Sequence, residues 1–433
     1  MLFDTPVSVS PSSFDRSSLY GGVRIAPDVE AENRLQQTQQ NALRQADLMH
    51  YLPKPDPRAM DAVLGQWQNL FPKMGVCMLL AEAHRDALPA LQAVCRHRRV
   101  PVVGGIFPQL VREGFLHSGG VWLLCFKQMP YAALHAPLPR DEAGIERAID
   151  RIANGIRAQM GAGWQEGGDS TLFLFFDAAL PHIGQVLDQL YLQLANRVHY
   201  AGVNAGSESF RPMPCLFDGE RVVEQGVLVL LLNPHRGVVL EHGYRMPRDT
   251  VYATSGRGNC IAQIDWRPAF DVYREWVLAH YGVTISRENF RDLAPRYPLG
   301  ILRGQNQVLV CVPLALGSEG ELQCAGEIPP DSVLTLLEPP SIGGGEMLHQ
   351  LMDGLLQLAD GAVHDLLLFY CAGRRIQLGF EAAQRELRTL AGRFDGRHMA
   401  GAVSLGEIGS CPGGGYPQFH GATLAALCWQ RST

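Results

Sequence analysis

Near the end of the chain the stretch SLGEIGSCPGGGYPQFHGATL (404–424) places a carboxylate, Glu407, and an imidazole, His420, at the two ends of a loop rich in glycine and proline. Upstream, an apolar run ends in Cys371-Ala372-Gly373-Arg374-Arg375. A cysteine followed by two arginines can have its thiolate stabilised. Cys371, His420 and Glu407 therefore supply the groups of a nucleophilic constellation, although no nucleophile-elbow pattern accompanies them. The same residues suit recognition equally well. Arg374 can pair with a carboxylate of the protein or of a ligand. Glu407 can accept from an ammonium or hydroxyl group, and His420 changes charge near neutral pH. Gly373 and Gly406 let backbone approach another group closely. Two readings of the loop stand side by side: it lines a binding cavity, or Glu407 and His420 tie down a slack turn.

Other chemistries leave weaker marks. The fourteen histidines include no H-E-x-x-H and no pair at metal-ligand spacing, so a zinc site is not expected. A haem needs only one imidazole in an apolar pocket, a role open to His117, His235, His242 or His420. No phosphate-cradling motif occurs, and GGIFPQ (104–109) is not a dinucleotide fingerprint. The ten cysteines lack any C-x-x-C and several sit in apolar runs, which reads as reduced thiols of a cytoplasmic protein; Cys411 is a second candidate nucleophile. A net charge of −6 without any Lys/Arg block argues against nucleic acid as a partner. The runs GVLVLLL and TLFLFF are too short to span a bilayer, and MLFDTPVSVS has no signal-peptide pattern, so no membrane insertion is expected.

The elements that must hold these residues recur along the chain. GVCMLLAEA, RDALPALQAVCRH, VPVVGGIF and GGVWLLCF read as strand, helix, strand and, after a polar loop, strand. The order returns in STLFLFFDA, PHIGQVLDQLYLQLAN, VHYAGVNAG and QGVLVLLL, and again in HDLLLFYCAG, FEAAQRELRTLAG, MAGAVSLGEIG and ATLAALCW. In each unit the second strand runs into small residues, Gly104-Gly105, Gly202 and Gly206, then Gly406 and Gly409. Polar groups follow: Gln109 and Arg112, then Asn204, Ser207 and Glu208, then Glu407. Glycine corners of this kind are turn geometry, or places where loops converge on a ligand. The expected fold runs from α/β to α+β, with repeated strand-helix-strand-loop-strand units forming mixed sheets flanked by helices. Between the second and third units, RGVVLEHG (236–243) and TVYATSGRGNCIAQIDWRP (250–268) read as strand hairpins, FDVYREWVLAHYG (270–282) as a helix and YPLGILRGQNQVLVCVPLAL (297–316) as strands, with DSVLTLLE (331–338) and GEMLHQLMDGLLQLADGAV (345–363) helical. Residues 1–30 form an arm, and 31–52 a surface or oligomerisation helix. The division expected is 1–58, 59–240 and 241–433.

CAGRRIQLG (371–379), the Glu-containing helix after it, GEIG (406–409) and FHGATL (419–424) resemble the C-terminal FIST domain. GRGNCIAQIDWRPAFDVYREW (256–276) is similar to the segment that leads into that domain's helix. PVVGG (101–105) and YAGVNAGSESF with CLFDGERVVEQGVLVLLL (200–232) resemble the N-terminal FIST domain. The first loop, GGIFPQ, and FHGAT depart from the patterns commonest in the family. The resemblance implies a sensory protein of signal transduction that binds a small, amino-acid-like ligand and relays to a partner protein. Cys371, Gly373, Arg374, Gly406, Glu407, His420, Asn204 and Ser207 would then surround the ligand. It also leaves open a haem-based nitric-oxide sensor acting on a histidine kinase.

Overall fold

The computed structural model describes residues 47–429 except 162–167, 210, 246–249, 304–307, 326–327, 329–330, 339, 341–344, 360–364, 395–397 and 411–414. The chain divides into two units, 1–46 and 47–433, and the repeats and the candidate site all belong to the second. The expected arm, most of the expected 31–52 helix and Cys411 lie outside the described residues.

The first repeat runs β1 (Met49–Leu52), α1 (Pro57–Leu70), β2 (Gly75–Ala81), α2 (Leu88–Arg98), β3 (Val102–Phe107), the hairpin β4 (Leu110–Arg112) and β5 (Phe115–His117), and β6 (Val121–Phe126). The second repeats this order as β7 (Tyr131–His135), α3 (Glu142–Met160), β8 (Thr171–Asp177), α4 (Ile183–Leu194), β9 (His199–Ala205), β10 (Leu216–Asp218), β11 (Val222–Val223) and β12 (Val227–Leu232). The third begins with β13 (Val239–Glu241) and is then interrupted. The interruption contains β14 (Val251–Arg257), β15 (Cys260–Ile264), β16 (Arg267–Pro268), α5 (Ala269–Tyr281), α6 (Phe290–Leu293), β17 (Leu299–Leu302), β18 (Val308–Cys311), β19 (Pro313–Leu316), β20 (Leu322–Cys324) and β21 (Val333–Leu336). It resumes with α7 (Gly345–Leu358), β22 (Asp365–Cys371), α8 (Ala372–Leu378), α9 (Phe380–Ala391), β23 (Met399–Ser404), β24 (Glu407–Gly409), β25 (Gln418–His420) and β26 (Leu424–Trp429). The expected mixed α/β fold of repeated units is therefore the observed one.

Two expectations need correcting. Met49–Leu52, read as the tail of a helix, pairs with β6 as an edge strand, because a sheet edge offers the partners that a thin apolar stripe cannot. DSVLTLLE forms β21 rather than a helix. It lies between β14 and β17, so both edges of its backbone find partners, and tertiary pairing outweighs the leucines' helix propensity.

The three repeat sheets are not self-contained. Each holds four strands of its own repeat and closes with a hairpin borrowed from another, in the orders β1-β6-β2-β3-β10-β11, β7-β12-β8-β9-β24-β25 and β13-β26-β22-β23-β4-β5. Repeat 2 thus lends its hairpin to repeat 1, repeat 3 to repeat 2, and repeat 1 to repeat 3. The loop that separates the last two strands in the sequence units is this lent hairpin. Its apolar residues fill the host's core: Ile408 packs in that of repeat 2 and Val111 in that of repeat 3. Phe107, Phe173, Phe175 and Phe369, drawn from all three repeats, stack where the sheets meet, with ring centroids 5.0–6.4 Å apart.

The register is the same in all three. Gly104, Gly202 and Gly401 lie opposite Met78, Leu174 and Leu368 of the parallel neighbour, and opposite Phe217, Ile408 and Val111 of the lent hairpin. A Cβ at any of the three would run into the carbonyl oxygen of that parallel neighbour. The inserted segment forms its own antiparallel sheet, β18-β17-β21-β14-β15-β20-β19 with β16 on β15, and β18 continues through Val312 directly into β19, which bends the sheet toward a barrel. Its core gathers α5, α6 and the strands around the buried Tyr273.

Gly401→Ala should lower stability by ~2–3 kcal/mol or more, because the obstructing atom is rigid backbone. Gly219→Ala, whose added methyl would meet nothing nearer than 3.8 Å, should change it little. Urea unfolding midpoints of the two variants check this.

Candidate functional site

Because the repeats share one register, equivalent positions can be compared directly, and the third repeat is the odd one. Where repeats 1 and 2 place Leu110 and Leu216 on the lent hairpin, the third places Glu407. Where they end the first strand of the parallel pair with Ala81 and Asp177, the third has Cys371; opposite, Phe107 and Ala205 become Ser404. The corner that is apolar throughout in repeat 1, and polar only at Asp177 in repeat 2, is therefore a buried polar trio in repeat 3.

Glu407 is fully buried, and its Oε1 accepts from the Ser404 hydroxyl at 2.5 Å. Its Oε2 meets no conventional hydrogen-bond partner. Burial pushes its pKa up to about 8, although Ser404, the Cys371 thiol, the Thr423 amide and the Arg374 charge pull in the other direction. At neutral pH it is mostly a neutral acid. The Cys371 sulfur accepts from the Ala422 backbone N–H at 3.1 Å. Asp177 does the same at the equivalent corner of repeat 2, accepting from the Gln225 N–H at 2.6 Å. Burial, with Glu407 beside it, raises the Cys371 thiol well above its ordinary value, so the expected stabilised thiolate is not what the fold provides.

His420 lies opposite Glu407 on the hairpin. Burial, then neighbouring His242, pushes its pKa down to about 3, and His242 falls to about 4 through burial and the Arg374 charge. Both are neutral rings. Asn204 is buried and joins the same corner through its backbone, giving its N–H to Gly406 O and taking that of Leu405, while its Oδ1 stays unpartnered. Ser207 instead closes its own turn on Ser209.

Two hollows lie beside α8, one reached by Cys371, Gly373 and Gly406 and the other by Arg374, while Glu407, His420, Asn204 and Ser207 line neither. One is a small apolar cavity of ≈ 30 Å³, roofed by Val312, Leu314 and Ala325 of the inserted sheet and floored by Cys371, Gly373 and Gly406. It has room for a water or two. The other is a cleft of ≈ 210 Å³ reached by Arg374 and lined by Tyr244, Arg245, Glu346, Gln350 and Glu386. Sequence reading thus placed Cys371, Gly373, Gly406 and Glu407 together, while Arg374 turns the other way. It passed over Tyr244, Glu386 and Ser404. Ser404 was visible in the motif itself, whereas Tyr244 and Glu386 carry no local signal.

Arg374 is completely buried and engages all five of its N–H donors inside the protein. Nε and Nη2 grip Glu386 at 2.8 and 2.7 Å. Nη1 reaches the carbonyls of His242 and Ala422, and Nη2 also meets the Met347 sulfur at 3.2 Å. Tyr370 donates to the same Glu386 oxygen at 2.8 Å. Arg375 points outward and ties the repeats together, pairing with Gln109 of the first and Glu208 of the second.

Haem does not fit these surroundings. His235 engages Thr171 and the Cys428 carbonyl through its two ring nitrogens. His242 accepts from the Tyr244 N–H at 3.0 Å and also hydrogen-bonds the Val308 backbone. His420 is bonded to the Gly409 backbone, and His117 lines neither hollow. Both hollows are smaller than the ~300 Å³ that even drug-sized ligands, smaller than a haem, require. Among the described residues no group of three or more His, Cys, Asp or Glu side chains is placed to hold a metal ion, and no helix is long and apolar enough to cross a membrane.

Arg374→Ala should cost about 3–5 kcal/mol, because it strands Glu386 as an uncompensated charge, and Arg374→Lys should restore only part of it. Thermal or urea unfolding reads both. Glu407 sets a pH dependence whose sign follows from its raised pKa. Its unfolded carboxyl ionises near pH 4.5 and its folded one near pH 8, so its contribution is intact below pH 4.5 and declines as pH rises to about 8. Glu407→Gln should remove that decline and leave the variant relatively more stable at pH 8 than at pH 5, by on the order of 2–4 kcal/mol. Glu241, raised to about 7 by burial, slopes the same way in both proteins and cancels in the comparison.

Comparison with known families agrees with the repeat architecture. The FIST N domain model matches residues 74–267 and the FIST C domain model residues 269–410, together more than three quarters of the chain. The junction falls inside the inserted sheet, between β16 and α5. No curated protein matches the chain. With both domains present in order, the chain belongs to the FIST family, whose domains are sensory domains of signal transduction.

Proposed function

We propose that this protein senses a small amino-acid-like ligand held in the ≈ 210 Å³ cleft of the third repeat, and that a partner protein such as a histidine kinase reads the bound state in the cytoplasm. One observation carries the reading: Tyr244 lines that cleft, and its buried hydroxyl has no hydrogen-bond partner. A buried hydroxyl left unpaired costs about 1–3 kcal/mol, which a ligand group can recover. Around it stand charges of both signs, the exposed Arg245 and Glu346 with Gln350 at the rim and the Glu386 carboxylate at the floor. A zwitterion matches such a lining, its carboxylate toward Arg245 and Tyr244 and its ammonium toward Glu346 and Glu386.

Arg374 positions Glu386 and Tyr370 in this reading and does not touch the ligand itself. Cys371, Gly373, Gly406, Glu407, His420 and Asn204 form the wall behind α8, through which occupancy of the cleft would shift the inserted sheet against the repeats. Ser207 stands in the adjoining turn. In the proposed division of labour, 59–240 supplies the rigid frame, to which Met49–Leu52 adds an edge strand, and 241–433 the site.

Isothermal titration of the full chain with the amino acids and with small organic acids tests the proposal. Binding by at least one zwitterion is expected, weakened about tenfold by Tyr244→Phe and more by Arg245→Ala. Silence across the whole panel, or binding that ignores both substitutions, would sink it.

A further inference from the structure

We propose that Cys311 and Cys324 form a site of reversible oxidation, closing as a disulfide in the wall of the inserted sheet. Both side chains are buried in the same core, each with 2% of its surface exposed. The backbone brings them together at the corner where β18 passes into β19. Pro313 lies directly opposite Cys324, and the Ala325 N–H donates to the Val312 carbonyl at 2.9 Å, so the two cysteines flank one inter-strand hydrogen bond. Their thiols are near enough for each to feel the other's proton.

The ladder beside the pair is also weak. Proline cannot donate to it, and the register slips between Pro313 and Ala315, a β-bulge next to the thiols. Contact with Cys311 and burial raise the Cys324 thiol, so oxidation proceeds from states in which this bulged strand opens locally and adjusts its Cα spacing to what a disulfide requires.

The oxidant class is a hydroperoxide, with hydrogen peroxide the simplest member. One sulfur attacks the peroxide, forming an S–O bond as the O–O bond breaks, and the thiol proton leaves in a molecule of water. The second sulfur displaces the oxygen, forming the S–S bond, and its proton leaves in a second water. Two thiols and one peroxide give one disulfide and two waters.

The consequence reaches the third repeat. Val312 and Ala325, each adjacent in sequence to one of the cysteines, roof the small cavity over Cys371 and Gly406. Drawing the strands together would move that roof. The chemistry itself does not depend on what the cleft binds, so its test stands apart from the ligand reading.

The test treats the full chain with hydrogen peroxide, unfolds it in an alkylating agent, and maps the peptides by mass spectrometry without reduction. The expected product joins the Cys311 and Cys324 peptides, two hydrogens lighter than the separate pair, and disappears on treatment with dithiothreitol. Cys311→Ser should leave Cys324 free to alkylate, and the wild-type peptide map needs no variant to fold. Full alkylation of both cysteines after peroxide, or linkage of either to another cysteine such as Cys260, would overturn the assignment.

Discussion

The structure depends on backbone hydrogen bonds that cross between repeats. A sheet edge is a row of unpaired donors and acceptors, and each repeat leaves one such edge beside its second parallel strand. The edge is satisfied by the hairpin of another repeat: β10 on β3, β24 on β9 and β4 on β23. The exchange closes on itself after three steps. The local features where the sheets meet follow from it, including the glycines that let the parallel strands pass so closely and the aromatic stack.

Closure of this kind makes repeat 3 a modified copy whose modifications can be read against two internal references. Cys371 looks like a nucleophile when seen alone. Beside Asp177 it is an acceptor for a loop amide, a role the two corners share. Glu407 has no such excuse, since its counterparts are leucines. A carboxyl group substituted into a leucine position, neutralised by burial and half satisfied by Ser404, is an unfavourable choice for stability alone. Its position next to the inserted sheet, at the only repeat that carries one, ties that cost to the part of the molecule that differs.

Much of the frame was legible because the paired parallel strands are short apolar runs ending in glycine, and their order repeats. The exchange of hairpins was not. Segments such as Leu110–Arg112 and Leu216–Asp218 are too short to announce a strand, and nothing in their residues names the distant partners, Ala400–Ala402 and Val103–Gly105. β21 was misread for a related reason, since leucines serve either element and only its two neighbours decide. At the site, residue type pointed correctly to Glu407 and Cys371 as belonging to one place. It could not show that Arg374 points away from them, because a single residue along a helix changes which hollow a side chain faces. Nor could it find Glu386, which meets Arg374 only because α9 folds back on α8.

The ring of lent hairpins has a consequence for how the polypeptide could have been assembled, by the ribosome or by evolution. Severed between the family's two domains, the amino-terminal piece would keep a hairpin, β4–β5, with no host and a host edge at β9 with no guest. The carboxy-terminal piece would carry the complementary pair of vacancies. The cut would also part β13 from β26, β14 from β21 and β15 from β20, and the bare strand edges on each fragment invite intermolecular pairing, so the halves that read as separate modules in sequence complete one another's sheets.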